Sequence, residues 1–123
     1  MSQTGFSKAE RLRRSDDFTR ILRSGRRLRG RLFDVRWCPS GEASTDPNRV
    51  GIAVGKRIGN AVVRNSLKRR LREAYRRCKG ELPCCGMEMV LLATPAMIGR
   101  SAAEVEEEMR RQLRGVTSSR AGA

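Results

Sequence analysis

Residues 49–79 read RVGIAVGKRIGNAVVRNSLKRRLREAYRRCK, and within this stretch the spacing of the apolar residues changes. Up to Gly55 apolar and small residues alternate, which predicts a strand with one apolar face and one face of glycine and alanine only. From Ala61 to Lys79 the apolar residues recur along one stripe at helical spacing, which predicts a helix. A strand followed by a helix of this kind is typical of a mixed α/β or α+β domain.

The predicted helix is strongly basic outside its apolar stripe. Arg64, Lys68 and Arg72 stand four residues apart, and the pattern places them opposite the stripe. Like charges at this spacing destabilise a helix by roughly a few tenths of a kcal/mol per pair. Phosphate groups would offset that cost, because arginine binds them bidentately and lysine acts as a point charge. A basic helix face is also often only a solvated surface, so both interpretations stay open at this point.

Periodicity places the other elements on either side of this stretch. Ser15 is a predicted N-cap for a short helix that ends at Gly25. The remaining elements are a half-buried strand over residues 32–38, with Phe33, Val35 and Trp37 on its apolar face, and a strand covered on both faces over residues 87–94. A last helix over residues 101–113 is predicted to begin with a capping box of Ser101 and Glu104. The predicted order is helix, strand, strand, helix, strand, helix, which defines one small α+β domain with helices over a sheet.

The two ends of the chain differ in composition from the part between them. We expect a flexible basic arm over residues 1–10, a single domain over residues 11–115 and a disordered tail over residues 116–123. A chain of 123 residues has room for one modest core, and its aromatic content of 4% means that aliphatic residues and methionine must fill it.

Charge is the strongest feature of the composition. Lys and Arg total 27 against 13 Asp and Glu, a formal net charge of +14. Such an excess repels itself in a compact fold, and a nucleic acid is the commonest polyanion that would relieve the repulsion. No stretch is apolar enough to span a bilayer, and no lipidation motif or signal peptide is present. We therefore expect a cytoplasmic nucleic-acid-binding protein that does not bind membranes.

The chain has few residues that could carry out catalysis or hold a metal. There is no histidine, and the four cysteines, Cys38, Cys78, Cys84 and Cys85, lack the paired spacing of structural zinc ligands. A protein nuclease needs a general base or a carboxylate cluster that holds metal ions. Asp16 and Asp17 fit the first turn of the first predicted helix, Asp34 is alone on its strand and Asp46 lies in a turn. We expect no catalytic residue and no metal site on the protein.

The stretch from Lys56 to Tyr75 resembles the signature of the protein subunit of bacterial ribonuclease P, with the pattern K-[KR]-x-G-x-A-V-x-R-N-x-[IL]-K-R-x-x-R. The resemblance extends from about Arg11 to Arg114. It implies a ribonucleoprotein endonuclease in which a catalytic RNA removes the 5′ leader of precursor tRNA. The RNA would do the chemistry with Mg²⁺ that it mainly holds itself, and the protein would raise substrate and metal affinity. The fold implied has a left-handed βαβ crossover, an exception to the usual handedness.

The resemblance also implies two sets of binding residues. The set expected to bind the catalytic RNA is polar and basic and includes the link before the helix, where free N–H groups favour anions: Lys56, Arg57, Asn60, Arg64, Asn65, Lys68, Arg69 and Arg72. The set expected to line a cleft for the single-stranded leader is more varied: Phe18, Leu22, Asp34, Arg36, Gly51, Ala53 and Gly55. From its pattern alone, Phe18 fits a core position better than a base-stacking one.

The sequence departs from the family pattern at three positions. Ser66 stands where the signature usually has arginine, and Leu22 and Arg36 stand where family members often carry aromatic residues. We expect weaker leader stacking, with Arg36 contributing charge or guanidinium stacking in its place. The alternative function is a ribosomal protein or RNA chaperone without a role in cleavage. Duplex DNA is not expected as a partner, because a strand precedes the basic helix where a helix-turn-helix needs another helix.

Overall fold

A computed structural model of the chain describes residues 11–12, 15–39, 48–82 and 86–122. Within these ranges, three α-helices and four strands follow one another in the order α1, β1, β2, β3, α2, β4, α3. Their bounds are α1 (Ser15–Ser24), β1 (Arg26–Leu28), β2 (Phe33–Pro39), β3 (Arg49–Ala53), α2 (Ala61–Cys78), β4 (Met87–Ala93) and α3 (Ala102–Gly122). The predicted α+β class and the order of the six predicted elements are confirmed. No helix among the described residues is long and apolar enough to cross a membrane.

The four strands form one mixed sheet in the order β1-β2-β4-β3. The last strand in sequence, β4, lies in the interior, antiparallel to β2 and parallel to β3. Because β3 and β4 are parallel neighbours joined through α2, they form the predicted βαβ unit. The left-handed sense of that crossover, which the family resemblance implies, stays a prediction.

Strand β1 is an element that the sequence analysis missed. No element was predicted between the helix that ends at Gly25 and the strand over residues 32–38. Residues 26–28 nevertheless pair antiparallel with β2, with Arg26 opposite Trp37 and Leu28 opposite Val35. Three residues with two arginines show no alternation of apolar and polar positions. The pairing with β2 decides the conformation, and the Arg26 guanidinium lies 5.3 Å from the centre of the Trp37 ring.

The main core lies between α2, α3 and one face of the sheet. The predicted alternation is correct here: Phe33, Val35 and Trp37 of β2 point to this side and are at most 1% exposed. The residues that meet them are also apolar and buried: Met87, Met89 and Leu91 from β4, Leu67, Leu71 and Tyr75 from α2, and Val105, Met109 and Leu113 from α3. This packing fixes α2 against the sheet and so determines which of its basic residues can reach a ligand.

A smaller cluster covers the other face of the sheet under α1. Ile21 and Val90 are fully buried in it, with Phe18 and Leu22 packed at its margin. The prediction that β4 is covered on both faces is therefore confirmed. Beside this cluster, the carboxylate of Glu88 is only 4% exposed and accepts hydrogen bonds from two arginines: Arg20 of α1, at 2.8 Å, and Arg49 of β3. The hydrogen bond to Glu88, followed by that to Asp17, raises the pKa of Arg20.

The last helix is longer than predicted. Its predicted capping box is present, since Glu104 N–H donates to Ser101 Oγ at 3.1 Å and Ser101 N–H donates to Glu104 Oε1 at 2.9 Å. The helix continues past Leu113 to Gly122, so residues 116–122, predicted to be disordered, are helical. The reason is that Val116 extends the apolar stripe and is fully buried, and Thr117 Oγ1 donates to Glu81 O at 2.8 Å. The arm predicted over residues 1–10 lies outside the described residues.

Candidate nucleic-acid interface

A cleft of about 480 Å³ opens at one edge of the sheet, between α1, β3 and α2. Strand β3 forms its floor and the two helices form its walls. Eight residues line it: Arg11, Leu12, Phe18, Val50, Gly51, Ile52, Lys68 and Arg72. The cleft therefore brings together Phe18 and Gly51 from the predicted leader set with Lys68 and Arg72 from the predicted RNA-subunit set.

The ring of Phe18 lies directly on the backbone of β3 at Gly51. A Cβ atom placed on Gly51 would lie 2.7 Å from Phe18 Cε1 and would overlap Cζ. Only glycine allows this approach, which is the physical use of the bare strand face seen in the sequence. Phe18 is half-buried, so it packs as part of the smaller cluster and keeps part of the ring accessible in the cleft.

Four residues that line the cleft were missed as site residues: Arg11, Leu12, Val50 and Ile52. Leu12 N–H donates to Val50 O at 3.0 Å, and Arg11 forms a bridge with Val50 along the free edge of β3. This pairing brings the Arg11 side chain to the rim opposite Lys68. The pairing joins segments that are distant in the sequence, so no local pattern signals it. Within the described part of the chain, Arg11, Lys68 and Arg72 have no acidic partner, so three unpaired cations surround the ring.

The other predicted leader residues lie away from this cleft. Arg36 Nη1 donates to Leu22 O at 2.6 Å, so the guanidinium is held at the carboxyl end of α1. Asp34 accepts from Gly30 N–H at 3.1 Å and lies 3.7 Å from Arg27. Ala53 packs in the smaller cluster, and Gly55 is exposed beyond the end of β3. The structure thus groups Phe18 and Gly51 in the cleft, whereas Leu22 lies on α1, Asp34, Arg36 and Ala53 lie on the sheet, and Gly55 lies past the end of β3.

The basic residues of α2 face two directions. The sequence analysis placed Arg64 and Lys68 opposite the apolar stripe, and this is wrong: both are half-buried at its margin. The stripe is centred on Leu67, Leu71 and Tyr75, which are at most 4% exposed, and Lys68 lies at its margin, where it lines the cleft. The outer, exposed side carries Asn65, Arg69 and Arg72. Arg69 also borders a groove of about 390 Å³ between α2 and α3.

The entrance to α2 is shaped by its cap. Asn60 Oδ1 accepts from Val63 N–H at 3.0 Å, so the side-chain oxygen is used in capping and only the amide nitrogen is left for a ligand. Lys56 and Arg57 lie in a short 3₁₀ turn just before the cap and are exposed. Arg64 Nε donates to Gly59 O at 3.1 Å and braces this entrance. Two exposed cations, Lys56 and Arg57, therefore lie beside the N-terminus of α2.

The described carboxylates and thiols do not assemble into a catalytic or metal-binding group. Near the cleft, Asp17 pairs with Arg20 at 3.2 Å and Glu88 is held by two arginines. Among the described residues, no three of His, Cys, Asp or Glu come together as ligands for a metal ion. Burial raises the pKa of the thiols of Cys38 and Cys78, which keeps them protonated. The other sequence candidates, Asp46, Cys84 and Cys85, lie outside the described residues.

Comparisons with known proteins agree with this geometry. The sequence profile of the family described as Ribonuclease P matches residues 6–117. A relative from Gluconacetobacter diazotrophicus named ribonuclease P protein component is 36% identical over 107 residues, which is 87% of this chain and 90% of the relative. One of the same name from Syntrophobacter fumaroxidans is 38% identical over 104 residues, which is 85% of each.

Solved structures with these names share the fold. The Staphylococcus aureus RNase P protein superposes with a TM-score of 0.76 at 29% identity, covering 89% of this chain and 96% of that one. The Thermotoga maritima RNase P protein gives 0.75 at 33% identity, covering 86% and 96%. These matches favour a subunit of the endonuclease ribonuclease P over a ribosomal protein or RNA chaperone. They confirm the resemblance of the signature stretch, and the chain belongs to the ribonuclease P protein family.

Proposed function

We propose that this protein helps a catalytic RNA to remove the 5′ leader of precursor tRNA by holding the single-stranded leader in the cleft between α1, β3 and α2. The observation that carries the proposal is the half-buried Phe18 ring lying on Gly51 among three cations that have no acidic partner in the described part of the chain. An aromatic ring stacks with any base, while nearby cations bind the backbone phosphates. Arg11, Lys68 and Arg72 are placed to take that second role.

The exposed outer side of α2 and its entrance are proposed to contact the catalytic RNA. This surface presents Lys56 and Arg57 before the helix and Asn65 and Arg69 on it, all of them exposed. The N-terminus of α2 adds free backbone N–H groups that favour phosphate. Lys68 and Arg72 lie between this surface and the leader cleft. We therefore propose that they neutralise phosphates where the leader and the catalytic RNA approach each other.

The metal requirement of the reaction is proposed to be met by the RNA. Mg²⁺ prefers oxygen ligands such as carboxylates and phosphates. Asp17 and Glu88, two carboxylates beside α1, are both paired with arginines, so neither is free to form a magnesium site. The protein would instead raise metal affinity indirectly, by fixing the leader phosphates in one position. We also propose that it acts in the cytoplasm, with no membrane and no duplex DNA among its partners.

A cleavage assay at low magnesium tests this function. Precursor tRNA is incubated with a bacterial ribonuclease P RNA, with and without the protein, and the 5′ products are mapped. We expect the protein to switch on cleavage at the mature 5′ end and to have no activity without the RNA. Binding of RNA with unchanged cleavage would contradict the proposal and favour a ribosomal or chaperone role.

A second comparison separates leader binding from the rest of the function. Phe18→Ala should reduce cleavage of a precursor with a long leader and leave a precursor with a single leader nucleotide unaffected, since the ring has no base to stack on in the second case. Arg114→Ala serves as the control, because Arg114 lies on α3 and pairs with Glu81 at 3.1 Å. Equal losses on both substrates would mean that Phe18 acts only through the stability of the fold.

A further inference from the structure

We propose that the turn between β1 and β2, together with α3, forms a second RNA site that binds phosphodiester groups of the catalytic RNA. This proposal rests on the function proposed above and adds a second surface that binds the catalytic RNA. Three arginines, Arg29, Arg31 and Arg111, line a hollow of about 190 Å³ there. This hollow lies at the β1 end of the sheet, while the leader cleft lies along β3 at the other edge.

The turn that carries Arg29 and Arg31 is held by buried polar side chains of α3. Leu32 N–H donates to Glu108 Oε2 at 2.9 Å, and Gln112 Nε2 donates to Phe33 O at 3.0 Å. Glu108 is 3% exposed and Gln112 is 7% exposed. Burying a carboxylate and an amide is unfavourable unless they are hydrogen-bonded, and both bonds here go to the backbone at the turn. Two buried polar groups thus fix the position of an otherwise exposed arginine pair.

Gly30, between the two arginines, lies in close contact with α3. A Cβ atom at this position would overlap Gln112 Nε2, Glu108 Oε2 and Phe33 O. Gly30 N–H also donates to Asp34 Oδ1 at 3.1 Å, which fixes the turn from the side of β2. With the backbone held on both sides, Arg29 and Arg31 are directed into solvent from fixed positions. A site arranged in advance loses less conformational entropy when it binds a ligand.

The charge at this surface lacks a local counterpart. Within the described residues, the side chains of Arg29 and Arg31 form no ion pair or hydrogen bond, and Arg111 shares the single carboxylate of Glu108 at 3.4 Å. Elsewhere on α3 and beside it, arginines pair with neighbouring glutamates: Arg100 with Glu104, Arg110 with Glu106 and Arg114 with Glu81. Three guanidinium groups and one carboxylate line the hollow, and the neighbouring Asp34 is paired with Arg27 at 3.7 Å. The net positive charge that remains favours phosphate, which arginine binds bidentately.

The position of the site selects a large folded RNA as the ligand. The edge strands β1 and β3 are three strand spacings apart, which is roughly 14 Å across the sheet, and the turn extends beyond β1. In the proposed function, the leader strand occupies the cleft along β3. A folded RNA that contacts α2 has the dimensions to reach the turn as well. We therefore assign the site to the catalytic RNA, and precursor tRNA is the source of phosphate to be distinguished from it.

The test uses the full chain and compares two double variants that remove the same charge. Arg29→Ala with Arg31→Ala removes the unpaired arginines. Arg100→Ala with Arg114→Ala removes two that are paired with glutamates. Dissociation constants for a bacterial ribonuclease P RNA and for precursor tRNA are measured over a range of salt concentrations. All four residues are exposed, and thermal unfolding of each variant checks that the fold is intact.

We expect the first variant to bind the catalytic RNA roughly tenfold more weakly at ~0.1 M salt, with a log–log salt slope smaller in magnitude by about 2. The control should keep the wild-type slope. Arg29→Lys with Arg31→Lys should restore the slope but only part of the affinity. Equal losses of affinity for the catalytic RNA in the two double variants, or a loss of affinity for precursor tRNA alone, would overturn the inference. If the wild-type protein still binds the catalytic RNA in that case, the proposed function stands. No binding of the catalytic RNA by the wild-type protein would overturn both.

Discussion

Gly51→Ala adds one methyl group beneath the ring of Phe18 and therefore tests the leader cleft directly. The new Cβ would lie 2.7 Å from Cε1 and would overlap Cζ, so the ring must move. Overpacking in a core costs about 1–3 kcal/mol. We expect the lower end, about 1 kcal/mol of unfolding free energy, because Phe18 is half-buried and the atoms in conflict are at the free end of its side chain.

The effect on leader binding should exceed the effect of stability alone. Stacking of a base on an aromatic ring contributes about 1–3 kcal/mol, which corresponds to about fivefold to 150-fold in affinity. Because the ring is displaced rather than removed, we expect about fivefold to tenfold weaker binding of a precursor with a long leader. The assay is single-turnover cleavage by the complex with the catalytic RNA, at several enzyme concentrations, with long-leader and single-nucleotide-leader substrates. The second substrate should show no change.

Two further variants make this prediction specific. Gly55→Ala is the matched control, since a Cβ there meets nothing within 4 Å and the backbone angles, φ −67° and ψ 152°, suit alanine. In a Phe18→Ala background, Gly51→Ala should cause no further loss of leader affinity, because the ring that it displaces is gone. Losses that add in the double variant, or an unchanged affinity for the long leader, would refute the proposed role of the Phe18–Gly51 contact.

Three other predictions follow from the charges and the helix caps. If the protein contacts about five to eight phosphates, the logarithm of its affinity for the catalytic RNA should fall with the logarithm of salt with a slope of roughly −4 to −7, and a slope near zero would contradict the electrostatic account. Arg69→Ala should weaken that binding more than Arg114→Ala, because Arg69 is exposed on the outer side of α2 whereas Arg114 is paired on α3; similar losses in gel-shift titrations would indicate diffuse charge. The hydrogen bond from Ser101 N–H lowers the pKa of Glu104. The ionised Glu104 carboxylate should therefore stabilise the fold fully above about pH 4.5, and this stabilisation should be lost as the pH falls through the lowered pKa. The free energy of unfolding of Glu104→Gln, measured over the same pH range, should not show this loss.

Much of the fold follows from local patterns, because periodicity and caps are local. The stripe of α2, the alternation of β2 and the capping box at Ser101 and Glu104 all lie where the sequence predicted them. Strand β1 could not be found this way, since its conformation depends on the pairing with β2. The end of α3 was placed too early because small polar residues follow Val116, whose burial depends on the core around it.

The candidate site was predicted in part, and its errors have one cause. Phe18 and Gly51 were both named, but their contact joins residues on α1 and β3 that no local pattern connects. Arg36 was expected in a leader cleft, yet its guanidinium binds the carbonyl of Leu22, a bond that depends on where α1 ends. Glu88 interrupted an apolar run in the sequence, and only the fold shows that distant arginines neutralise it. The periodicity of a sequence does not indicate which side chains meet across different elements.

The interior position of β4 has a consequence for synthesis on the ribosome. Strands β2 and β3 both pair with β4 and not with each other, so neither β2 nor β3 has its inner neighbour until residues 87–93 have left the exit tunnel. Until then β2 has only β1 to pair with, β3 has only the bridge at Arg11 and Leu12, and the apolar stripe of α2 has no complete sheet to cover. A nascent chain in this state exposes apolar surface and dense positive charge together. The basic helix is therefore accessible to RNA before the sheet that supports it is complete.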